Sequence, residues 1–168
     1  KAGTGAPTTE TQARTLLCGN TSCVGSTPTG VNRGPCNPYT ANGVANPCTN
    51  VGGLPADTLS FITSLDESCG NCTVIVTGGT ENGHTTHAQN LPIFDLNKPT
   101  PLVNFFKSSG VGPNPSFCNT RTGTCFLKWL YGGYWFTDEG NHWHVCKENT
   151  AAPIPEKTAV FKKACTKI

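Results

Sequence analysis

With 168 residues and a formal net charge of +2, the chain is long enough to bury a core and too weakly charged to be drawn to nucleic acid or an anionic membrane. Charged residues make up only 13%, half the usual level of roughly 25%, and Gly, Pro, Thr and Asn fill the space, which marks a loop-rich chain. No apolar run approaches the roughly 20 residues of a membrane-spanning helix, so neither a membrane nor nucleic acid is an expected partner.

"TTETQARTLL", residues 8–17, predicts a short helix with Thr9 at the N-cap, Gln12 completing a capping box and Gly19 ending it. From Cys18 to Gly53 no apolar periodicity survives, so a long loop is expected there, pinned by the four cysteines it contains. "LPADTLSFITSLDESCGNC" predicts the clearest helix: Asp57 is the expected cap, Leu59, Ile62 and Leu65 share one face, and Gly70 terminates it. "TVIVTGG" is apolar and β-branched, as in a buried strand. "TPLVNFFKSSG" predicts another helix, with Thr100 at the N-cap, Pro101 at N1 and Gly110 closing it.

Residues 110–116 are rich in Pro, Gly and Asn and are expected to form a loop. Beyond them the pattern predicts an antiparallel meander: "CFLKWLY", a Gly132-Gly133 turn, "YWFT", a "DEGN" turn and "HWHVC", with "KTAVFKKAC" as a fourth strand. Aromatic cross-strand pairs stabilise such a sheet. The expected fold class is therefore α+β, a single domain over residues 1–168, with an antiparallel sheet of about four strands packed with two or three short helices.

The ten cysteines, Cys18, Cys23, Cys36, Cys48, Cys69, Cys72, Cys118, Cys125, Cys146 and Cys165, are even in number and irregularly spaced. They read as a disulfide framework made in an oxidising compartment, and the chain as a secreted protein in mature form. On that route Asn20-Thr21-Ser22 and Asn71-Cys72-Thr73 fit the N-glycosylation pattern. The expected bridge at Cys72 leaves Asn20 as the possible acceptor. "CGNC" has the Cys-x-x-Cys spacing of disulfide-exchange centres, but its helix precedes it, so neither thiolate gains the field of a helix N-terminus. Two structural bridges to different partners are expected instead.

Strand periodicity places His142, His144 and Cys146 on one face of "HWHVC" and Trp143 and Val145 on the other. With His84 and His87 from "GHTTH", the pair has the makings of a zinc site. The competing reading puts His142 and His144 on the wet face of an edge strand and leaves His84 and His87 in a loop with no rigid element to orient them. That reading is adopted here, so no metal, cofactor or catalytic residue is expected. The alternative is a secreted nuclease-like hydrolase using His142 or His144 with Glu139, or with Asp138, in one cleft. The sequence contains no Gly-x-Ser-x-Gly, His-Glu-x-x-His, phosphate-cradling or dinucleotide-binding motif.

The set of ten Cys, the Asn/Thr/Gly/Pro-rich Cys18–Cys48 region and the Trp-rich "FLKWLYGGYWF" resemble those of small secreted effectors of plant-pathogenic ascomycete fungi. Among these the chain resembles the Leptosphaeria avirulence-suppressing structural family, which includes an extracellular protein of the tomato leaf-mould fungus. The resemblance carries over no functional residue. It implies an antiparallel sheet with helices and bridges, and secretion into the plant apoplast or delivery into the host cell. It also implies a monomer that binds a host plant protein without catalysis and bears on recognition by plant immune receptors.

Overall fold

The structure, a computed structural model, describes residues 8–25, 29–36, 48–70, 72–81, 84–118 and 121–167. In chain order the elements are α1 (Glu10–Cys18), β1 (Thr29–Val31), α2 (Ala56–Cys69), β2 (Val74–Gly78), β3 (Ile93–Leu96), α3 (Thr100–Ser109), β4 (Val111–Cys118), β5 (Cys125–Tyr131), β6 (Tyr134–Asp138), β7 (Trp143–Lys147), a 3-10 turn (Pro155–Lys157) and α4 (Thr158–Cys165). The fold is α+β, with a sheet larger than expected: seven strands in the order β1-β2-β3-β7-β6-β5-β4. Only β1 and β2 run parallel.

Strand alternation divides the sheet into two faces. Phe94, Leu96, Tyr134, Phe136, Trp143 and Val145 join Leu59, Ile62, Leu102 and Phe106 of α2 and α3 in the main core. Phe106 stacks on Phe136 at 3.9 Å between centroids, and burial of each such side chain contributes roughly 1.5–3 kcal/mol. The opposite face carries Ile93, Asp95, His144 and Cys146, partly roofed by Phe161 and Ala164 of α4. The expected aromatic pairing is present, with Trp129 opposite Phe136 and Tyr131 opposite Tyr134. Gly132 and Gly133 turn the β5–β6 hairpin with φ of 59° and 82°, angles that side chains rarely tolerate.

Several local expectations are corrected. "KTAVFKKAC" forms α4 and not a strand, because Phe161, Ala164 and Cys165 make one apolar helical stripe. The 110–116 segment is not a loop. It belongs to edge strand β4, where the missing N–H of Pro113 and Pro115 is tolerated. The long loop after Cys18 contributes β1, and its residues 37–47 lie outside the described residues. Helices α2 and α3 open one residue after Pro55 and Pro99, whose fixed φ begins each turn, so neither Asp57 nor Thr100 is the N-cap. The Thr9–Gln12 capping box and the Gly19 stop of α1 form as the sequence predicts.

All ten cysteines are paired, as 18–23, 36–48, 69–72, 118–125 and 146–165. Cys69 and Cys72 of "CGNC" therefore bond to each other, in place of the two separate bridges expected. Such a framework is consistent with an oxidising compartment. No helix among the described residues is long and apolar enough to cross a membrane. Asn20 is exposed in the loop closed by Cys18–Cys23, its Oδ1 accepting from the backbone of Ser22 and Cys23. Asn71 lies outside the described residues.

The N-terminal half is tied together by Arg14, a fully buried cation. Its guanidinium donates to Glu10 and to the carbonyls of Ser22, Arg33 and Thr49 at 2.7–2.9 Å. Glu10 in turn accepts from the backbone of Val51 and Gly52.

Candidate functional site

The helix-free centre of the second sheet face is polar. Asp95 of β3 and His144 of β7 are direct cross-strand partners, and burial of both (8% and 5% exposed) requires each to satisfy the other. Asp95 Oδ1 lies 3.2 Å from His144 Nδ1 and 3.3 Å from His87 Nε2. His87 Nδ1 is 2.8 Å from the Gly79 carbonyl, which can only accept, so Nδ1 carries the hydrogen it donates there. The ring of His84 stacks on that of His87 at 4.1 Å. Its Nε2 is bonded to buried Glu81 and its Nδ1 is 4.0 Å from Asp95 Oδ2. Burial raises the affinity of Asp95 for its proton, but the charge of His87 and the hydrogen bond from His144 more than offset this, holding its carboxyl well below the ordinary range.

Across the cleft, the β6–β7 turn brings Glu139 and His142 together, with His142 Nε2 3.0 Å from Glu139 Oε2. That bond raises the imidazole pKa above its ordinary value, against the opposing effect of burial and with help from Asp95. Lys98 grips the turn, its Nζ 2.6 Å from Asp138 Oδ1 and 3.1 Å from the Gly140 carbonyl. Within the described residues, two groups have ligand atoms mutually within 4.8 Å: His84, His87 and Asp95, and Asp95, Glu139 and His142.

All four histidines thus line one cleft, of about 430 Å³, with Asp95, Glu139, Phe117 of β4 and Val160 of α4. A second hollow of about 290 Å³, lined by Thr77 and Asn141, shares Asp95 and His142 with it. The sequence expectation of two wet histidines on an edge strand is corrected: β7 is an inner strand between β3 and β6, and His144 is buried. The expectation that His84 and His87 lack an anchor is corrected too, since Glu81 and the Gly79 carbonyl hold them. Sequence reasoning missed Asp95 and Glu81. Asp95 carried one readable signal, a lone acid in an otherwise apolar strand, "PIFDL".

No family model, curated protein or solved structure matches the chain.

Proposed function

We propose that the protein is a metal-dependent hydrolase of amide bonds, a peptidase, with Zn²⁺ held by His84 Nδ1, His87 Nε2 and the Asp95 carboxylate. The observation that carries the reading is the convergence of His84, His87 and Asp95, whose ligand atoms lie mutually within 4.8 Å, with His87 Nε2 3.3 Å from one Asp95 oxygen and His84 Nδ1 4.0 Å from the other. These separations exceed the ~2.7–2.9 Å of a charge-assisted hydrogen bond. They approach the roughly 3.3–3.6 Å between ligand atoms that lie 2.0–2.2 Å from a tetrahedral zinc. Two His and one carboxylate, with a fourth position facing a cleft, make a donor set for catalytic zinc.

Zinc bound there supplies Lewis-acid activation of water and of a carbonyl oxygen. The chain supplies the proton handling. Glu139 is placed to take a proton from the attacking water and return it to the leaving nitrogen. His142, engaged by Asn141 at Nδ1 and by Glu139 at Nε2, holds the Glu139 carboxylate in place.

The substrate class follows from the cleft walls. Among the described residues neither hollow is lined by Lys or Arg, so a phosphodiester would meet no cation beyond the proposed zinc, which favours the peptidase over the nuclease form of the hydrolase. Thr77, Thr85, Thr86 and Asn141 offer hydrogen bonds to a peptide backbone, and Phe117 and Val160 an apolar wall. An effector that acts on a host component by binding alone is the competing reading; it calls for dispersed, solvated histidines, and their convergence supports the hydrolase. The five disulfides support work outside the cytosol.

The test is to strip the oxidised protein with chelator, add back Zn²⁺ and follow cleavage of a mixed peptide library by mass spectrometry. Cleavage that needs zinc and disappears in Asp95→Asn is expected. Failure of the wild-type protein to retain stoichiometric zinc would sink the reading.

A further inference from the structure

Glu81 is the least conspicuous acid in the sequence and, at 1% exposed, the most deeply buried of the carboxylates around the cleft. It does not face the proposed cation. Its Oε1 accepts from the backbone of Asn50 at 2.8 Å and of Gly79 at 3.0 Å, and its Oε2 from the same Gly79 N–H at 3.0 Å and from His84 Nε2. These hydrogen bonds hold its carboxyl below the ordinary range even though burial pushes the other way. It grips the N–H of Gly79, the residue whose own carbonyl, in the next peptide group, lies 2.8 Å from His87 Nδ1. No residue with a side chain fits at Gly79, where a Cβ would lie 1.9 Å from the Asn50 carbonyl oxygen.

We propose that Glu81 is the positioning residue of the metal centre. It bonds the ring of His84 directly and reaches His87 through the backbone of Gly79, so that one buried carboxylate sets the tautomer and plane of both histidines. The inference rests on the zinc reading given above. The chemistry is that of outer-shell partners, which fix ring orientation and whose loss weakens metal binding by roughly 10- to 100-fold. A carboxylate is required because all four approaching hydrogen-bond contacts come from donors, whereas an amide turns one of its two ends into a donor.

The experiment compares Glu81→Gln with Asn50→Ala. The second variant loosens the same loop by removing the Asn50 Oδ1 acceptor of the Cys36 N–H and leaves Glu81 intact. Zinc affinity is read by competition with a chromophoric chelator, and the His87 tautomer of the metal-free protein by long-range ¹H–¹⁵N NMR. Glu81→Gln is expected to bind zinc roughly 10- to 100-fold more weakly and to lose the fixed Nδ1–H form of His87, while Asn50→Ala stays near wild type in both. Equal zinc affinity in Glu81→Gln and wild type, or an equal loss in both variants, overturns the proposal. If wild type takes up no zinc the peptidase reading fails, and an unchanged His87 tautomer in Glu81→Gln then overturns the positioning role as well.

Discussion

Asp95 and His144 face one another across the β3–β7 ladder, and the single oxygen Asp95 Oδ1 is within 3.3 Å of nitrogens from both His144 and His87. His84 approaches the other oxygen from 4.0 Å with its second nitrogen already engaged by Glu81. The proposed ligand set is His84, His87 and Asp95, and replacing any one should abolish stoichiometric zinc. Elemental analysis after dialysis is expected to give one equivalent in wild type. The loss in Asp95→Asn, His87→Ala or His84→Ala should exceed the roughly 10- to 100-fold cost of losing an outer-shell contact.

Glu139 and His142 are separable from metal binding. Glu139→Gln keeps the shape of the turn and removes the proton acceptor, so turnover should fall about 10²- to 10⁴-fold while zinc content is unchanged. Parallel loss of zinc and activity would place Glu139 among the ligands instead.

Lys98 holds the turn that carries Glu139 through Asp138 and the Gly140 carbonyl. Lys98→Met should leave zinc affinity intact and lower kcat by up to about 100-fold, the scale of a small displacement of a catalytic group. Steady-state kinetics on zinc-loaded protein decides this.

Arg14 was visible in the sequence only as one charge in a short helix. In the structure Arg14→Met leaves three carbonyls and the Glu10 carboxylate without their cation, a loss of about 3–5 kcal/mol. Urea unfolding followed by Trp fluorescence measures it.

Lys128 gives a pH signature. Burial pushes its amine down to about 8 from 10.5, while its Nζ donates to the carbonyls of Lys163 and Thr166 at the end of α4. Between about 8 and 10.5 the folded protein sheds this proton before the unfolded chain does, so the group's contribution to stability rises with pH across that window and is least favourable below it. A neutral amine still has two hydrogens for the two carbonyls. The difference in unfolding midpoint between wild type and Lys128→Met should therefore grow in favour of wild type from pH 8 to 10.5; a constant difference contradicts the shift.

Local signals were legible. The capping box of α1, the apolar faces of α2 and α3, and the Gly132-Gly133 hairpin depend on neighbours in the chain and are readable from spacing. The extra strands were not, because Pro113 and Pro115 look like loop residues until β5 supplies an edge that asks nothing of their missing N–H groups. The site was half legible. His142, His144 and Glu139 share a short segment, but Asp95 joins them only through strand register, and Glu81 acts through backbone that no pattern of side chains reveals.

In the proposed site an ion latches the loop that carries His84 and His87 onto strand β3 through Asp95. At a free concentration 100 times its dissociation constant, such an ion adds about 2.7 kcal/mol to the folded state. The durability of the molecule then becomes a property of its surroundings: a chelating fluid softens it, and an ion-rich one hardens it.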